Sequence, residues 1–119
     1  GLSFQVWAAI LENMPMTAMI RNLGKMSSIG MLKPLSPHSE VVCQRLIDTK
    51  LLQEAKIHPF NVLIALKTYE QGKGDKGKLT WEVNQSIVSA LDNAYYLSFK
   101  VKHAWIYFVL HSCWSVLSL

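Results

Sequence analysis

The chain has 119 residues, half of them hydrophobic and 17% charged, with twelve Lys and Arg against eight Asp and Glu for a net charge of +4. That length suits one domain, and the apolar fraction excludes a disordered tail or a fibrous repeat. The basic balance permits an anionic partner without requiring one.

Four Trp, four Tyr and four Phe supply a core, which at this size buries about two thirds of the surface of the unfolded chain. Cys43 and Cys113 are too far apart in sequence to suggest a disulfide framework or a metal-ligand spacing. A reducing intracellular compartment is the default expectation, the cytoplasm and also the nucleus. Residue 1 is Gly, and Gly1 to Trp7 has neither the basic start nor the apolar run of a signal peptide. The chain reads as a piece of something longer.

Met16, Met19, Ile20, Leu23 and Met26 fall on one side of a helical wheel, with Arg21 and Lys25 together on the other. Pro15 suits the first helical position, Gly24 is tolerated at some cost, and Gly30 and Pro34 end the helix. Ser36-Pro37 restarts the chain as an N-cap followed by Pro. In that second helix Val42 with Leu46, and Cys43 with Ile47, make the expected buried pairs. A short helix follows over about Lys50 to Ala55, and His58-Pro59 opens another through Gln71. Its apolar residues point almost all round the wheel, which predicts a helix sandwiched between neighbours.

Gly72 to Lys78 is the clearest loop. Val83, Ile87, Ala90, Leu91, Ala94 and Leu97 then form the buried stripe of a long last helix. The body is therefore all-α, and helix pairs engaged on both faces suit a HEAT-like α-solenoid whose pairs need neighbours to bury their cores. Val101 to Leu119 differs, an apolar tail with no formal charge after Lys102. Its continuous apolar run is shorter than the roughly 20 residues that span a bilayer, so membrane insertion is not expected.

Among motifs, Gly72-x4-Gly77-Lys78 fits most of a phosphate-cradling P-loop, but Leu79 stands where Ser or Thr must hold magnesium, and a helix rather than a strand precedes it. Lys73, Lys76 and Lys78 face a single Asp75 and can either track a phosphate chain or simply keep the loop solvated. Arg21 and Lys25 make a second basic spot, where Arg21 can hold a phosphate in two-pronged fashion. His58 lacks a spaced nucleophile or carboxylate and reads as a cap, and Cys43 reads as inert core. No metal-ligand cluster, paired carboxylates or catalytic constellation is legible, so no enzymatic activity and no cofactor are expected.

Two segments carry a resemblance. Met14-Pro15-Met16-Thr17-Ala18-Met19-Ile20-Arg21-Asn22-Leu23-Gly24-Lys25-Met26 resembles the helix motif of TROVE modules. Ile57-His58-Pro59-Phe60-Asn61-Val62-Leu63-Ile64-Ala65-Leu66-Lys67-Thr68-Tyr69, with Gly72, Gly74, Gly77 and Trp81, is similar to that family's second motif, in the right order and at a suitable distance. The resemblance runs from about Trp7 to Lys100 and is strongest to the Ro-type (SS-A autoantigen) members.

The resemblance implies a ring of HEAT-like repeats, of which residues 1–100 are the C-terminal portion. It implies RNA binding in a ribonucleoprotein that handles small non-coding Y RNAs and the 3′ ends of misfolded RNAs in quality control, with no catalytic step. Most of the family's RNA contacts lie in earlier repeats. Arg21 and Lys25 stand inside a matched motif, and among the loop cations only Lys78, next to Gly77, looks like part of the family pattern. The expected phosphate contacts are thus Arg21, Lys25, Lys76 and Lys78. Val83 stands where the family often opens the last helix with Pro, so a less sharp helix start is expected there.

After Lys100 nothing matches the von Willebrand A-type domain, with its cation-binding D-x-S-x-S loop, that follows Ro-type rings. Residues 101–119 read as an alternative or aberrant ending ahead of a membrane-seeking anchor. The rival to RNA binding is a helical-repeat scaffold that holds another protein and leaves its basic spots solvated.

Overall fold

The computed structural model describes residues 2–74 and 76–102, in which every regular element is an α-helix. In chain order they are α1 (Leu2–Leu11), α2 (Met16–Arg21), α3 (Leu23–Ser28), α4 (Pro37–Leu46), α5 (Thr49–Ala55), α6 (Pro59–Gln71) and α7 (Gln85–Lys102). The all-α architecture is as expected. The apolar tail, from residue 103 onward, lies outside the described residues.

One helix was expected from Pro15 past Met26, and there are two, because Asn22 interrupts the ladder. Its side-chain amide donates to the Ala18 carbonyl at 2.8 Å, which competes with regular helix pairing. The apolar stripe survives the break, with Met16, Met19, Ile20, Leu23 and Met26 all buried. Pro15 is not the first helical residue but the extended residue before it, and its carbonyl receives the Met19 N–H. Gly30, at φ +86, turns the chain out of α3 in a conformation that costs glycine little.

Ser36 caps α4 as expected: its hydroxyl accepts the Ser39 N–H and donates to the Met31 carbonyl. Val42 and Leu46 are fully buried, but Ile47 is 45% exposed and Cys43 only half-buried. The expected Cys43–Ile47 pair is thus incorrect. The face that packs inward runs through Ser39, Val42 and Leu46, at i, i+3 and i+7, and the other pair flanks it. Burial pushes the Cys43 thiol above its ordinary pKa, with a hydrogen bond from Ser39 opposing and the Glu40 carboxylate adding to the rise.

Asp48 caps α5 by accepting the Leu51 N–H, and His58 caps α6 by accepting the Phe60 N–H on Nδ1 at 3.0 Å. Arg45 does the reverse at a C-terminus. Its guanidinium donates to the carbonyls of Leu11, Glu12 and Met14, closing the end of α1 against α4. α1 has no stripe to mark its boundaries in the sequence, because its apolar residues surround the wheel.

α7 packs along α4, α5 and α6, while α2 and α3 lie against α6. α6 is therefore sandwiched as its pattern predicts, although Phe60 and Ile64 remain 59% and 49% exposed on its uncovered side. Ile87, Ala90, Leu91 and Ala94 of α7 meet Val62, Leu66 and Tyr69 of α6 within one continuous core. The start of α7 is sharper than Val83 suggests, because buried Asn84 accepts the Ser86 N–H at 3.0 Å and caps the helix.

Candidate functional site

The glycine-rich loop is a tight hairpin. Gly72 ends α6 in the left-handed region at φ +72, where its own carbonyl receives the Trp81 N–H. Gly74 N–H donates to the Leu79 carbonyl at 2.7 Å, and Lys73 pairs with Thr80 in a single antiparallel bridge. This geometry is not the strand-to-helix turn of a nucleotide-binding P-loop, in agreement with the sequence reading.

The hairpin delivers Trp81 to the junction of α3 and α6. The indole N–H donates to the Tyr69 carbonyl at 3.0 Å, and the two rings stack with centroids 6.1 Å apart and planes 16° apart. The far edge of the indole lies against Gly24, where an added Cβ would stand 2.7 Å from two ring carbons. Gly24, in the first turn of α3, is thus the seat for Trp81.

Between the α2–α3 bend, α6 and the hairpin opens a cleft of about 530 Å³. One wall carries Thr17, Ile20, Arg21 and Lys25. The opposite wall is one face of α6, with Asn61, Ile64, Ala65 and Thr68 at helical spacing, and Leu79 and Trp81 close the end. Neither Arg21 nor Lys25 pairs with a carboxylate among the described residues. The cleft therefore combines two cations without a carboxylate partner among the described residues, apolar surface and short polar side chains.

Of the four cations singled out in the sequence, the cleft brings together Arg21 and Lys25. Arg21 is exposed and Lys25 half-buried. Lys76 and Lys78 are exposed on the hairpin and do not line it. Asn61, Ile64 and Thr68 were missed, because an apolar count of α6 hides its one mixed face. The signal was present in the i, i+3, i+7 spacing of those three residues. No group of His, Cys, Asp or Glu able to hold a metal occurs among the described residues, and none of their helices is long and apolar enough to cross a membrane.

The family model of the TROVE domain matches residues 1–68. A protein of Caenorhabditis elegans named "RNA-binding protein RO60" is 46% identical over 95 residues, covering 79% of this chain and 14% of its own. A protein of the same name from Deinococcus radiodurans is 36% identical over 96 residues, covering 80% of this chain and 18% of its own. The crystal structure of the Deinococcus radiodurans RO (RSR) protein superposes with a TM-score of 0.74 at 37% identity, over 79% of this chain and 19% of that one. The chain thus spans less than a fifth of the length of these relatives. Motif order, helical architecture and these matches agree, and the chain belongs to the TROVE-domain family.

Proposed function

We propose that this chain supplies part of the RNA-binding surface of a Ro-type TROVE ring. In this reading it acts in a ribonucleoprotein that binds small non-coding, Y-type RNAs and the 3′ ends of misfolded RNAs for quality control, in the cytoplasm or nucleus. Its partners are RNA and the remaining repeats of the ring, and binding involves no catalytic step. Arg21, Lys25, Lys76 and Lys78 are the proposed phosphate contacts.

The observation that carries the reading is the open cleft whose one wall holds Arg21 and Lys25, neither facing a carboxylate among the described residues. Two relatives that share this segment are named as RNA-binding proteins. Cations left without protein partners at a concave surface suit a polyanion, and electrostatic contact without a base code suits RNA of varied sequence.

The scaffold alternative draws on Phe60, Ile64, Tyr96 and Phe99, large apolar side chains that are about half exposed or more. Salt separates the two. With four phosphate contacts, log affinity for single-stranded RNA falls against log salt with a slope of roughly −3, an approximately 50-fold loss between 50 and 200 mM. Measured on the full chain by fluorescence anisotropy, that slope supports RNA binding. RNA affinity that is undetectable at 50 mM salt, or indifferent to salt, contradicts it.

A further inference from the structure

We propose that the cleft is a pocket for a single unstacked RNA base, entered beside the phosphate that Arg21 and Lys25 hold; this rests on the RNA-binding reading and deepens it. Three features of the cleft point there. Its volume of about 530 Å³ falls within the roughly 300–1,000 Å³ of small-ligand pockets, far more than a phosphate alone needs. Its lining is amphipathic where a phosphate groove is polar throughout: Ile64, 49% exposed, and the end-wall residues Leu79 and Trp81 offer apolar surface. Finally, Asn61 and Thr68 stand at the two ends of the α6 face, separated by about 10 Å along the helix axis. The Asn61 amide both donates and accepts, as does the Thr68 hydroxyl, so together they can meet the mixed edge of a base.

A flat, aromatic, polar-edged group next to a phosphate is a nucleotide. RNA-binding proteins recognise single strands by splaying bases out and burying them in this manner. The rigid frame suits the task. Trp81 is fixed by its hydrogen bond and its stack on Tyr69, so the end wall is formed before any ligand arrives.

The test uses the full chain and two single-stranded decamers of equal charge, one of uridylate and one a fully abasic ribose-phosphate. Burial of one base against the apolar surface of Ile64, Leu79 and Trp81 makes the uridylate decamer bind about tenfold tighter or more. Two cleft-filling variants, Ala65→Leu and Thr68→Leu, keep both cations and are expected to remove that difference while leaving affinity for the abasic strand unchanged. Circular dichroism checks that each remains helical. Equal binding of the two decamers by the unmodified chain overturns the pocket and leaves phosphate contact standing. A tenfold advantage that survives in both variants overturns it too, since the base then sits elsewhere. Failure of both decamers to bind at low salt rejects the RNA reading itself, and the pocket with it.

Discussion

The Tyr69 hydroxyl receives the Asn84 N–H at 3.1 Å and lies 2.9 Å from Ser27 Oγ, with only 1% of the residue exposed. Asn84 extends the network, donating its side-chain amide to the Leu32 carbonyl and to Ser39 Oγ. Buried polar groups are costly unless satisfied, and here each partner ties a different part of the chain to the start of α7. Tyr69→Phe keeps the ring but leaves the Asn84 N–H without this acceptor. A loss of about 1–3 kcal/mol is expected, read from urea unfolding of the full chain. Asn84→Ala also removes the cap of α7 and is expected to cost more than Tyr69→Phe; equal stability of all three proteins contradicts this account. The sequence marked Tyr69 as an apolar member of a motif and did not mark Asn84 at all. Apart from the local cap that Asn84 gives Ser86, both act through partners more than ten residues away, which a local pattern does not reveal. His58 and Ser36, which cap within three residues of themselves, were legible.

At the scale of elements, the meeting of α3 with Trp81 shapes the site. In an exposed helix interior Gly24→Ala would stabilise by about 1 kcal/mol through propensity alone. Here the new methyl meets the indole edge at 2.7 Å, and the indole is held by its hydrogen bond to Tyr69 and its stack. The expected net effect is destabilising, by about 1–3 kcal/mol, with a change in Trp fluorescence as Trp81 is displaced. A rise in the urea midpoint with unchanged fluorescence contradicts the seat. Helices with a clean stripe or a local cap (α2 to α7) were readable, because 3.6-residue periodicity and capping are local chemistry. The break at Asn22 was not, since it depends on an amide folding back on Ala18. The pairing of Cys43 with Ile47 failed for a different reason: periodicity names a face but does not say how wide the covered strip is.

On the scale of the whole molecule, the chain spans 14% and 18% of the length of two of its relatives. Solenoid repeats bury their cores against neighbours, which accounts for exposed Phe60 and Tyr96 outside the cleft without assigning each a separate purpose. The cations were legible as a pair, because Arg21 and Lys25 lie four residues apart opposite a Met-rich stripe. Their cleft was not, because it forms from three segments that only the fold brings together. The central claim is that these two cations hold RNA, and charge reversal tests it most directly. In a complete TROVE ring carrying this segment, Arg21→Glu with Lys25→Glu is expected to weaken binding of single-stranded RNA at low salt by at least about tenfold. The salt dependence should become shallower at the same time. Unchanged affinity at low salt, with helix content and melting midpoint preserved, would contradict it.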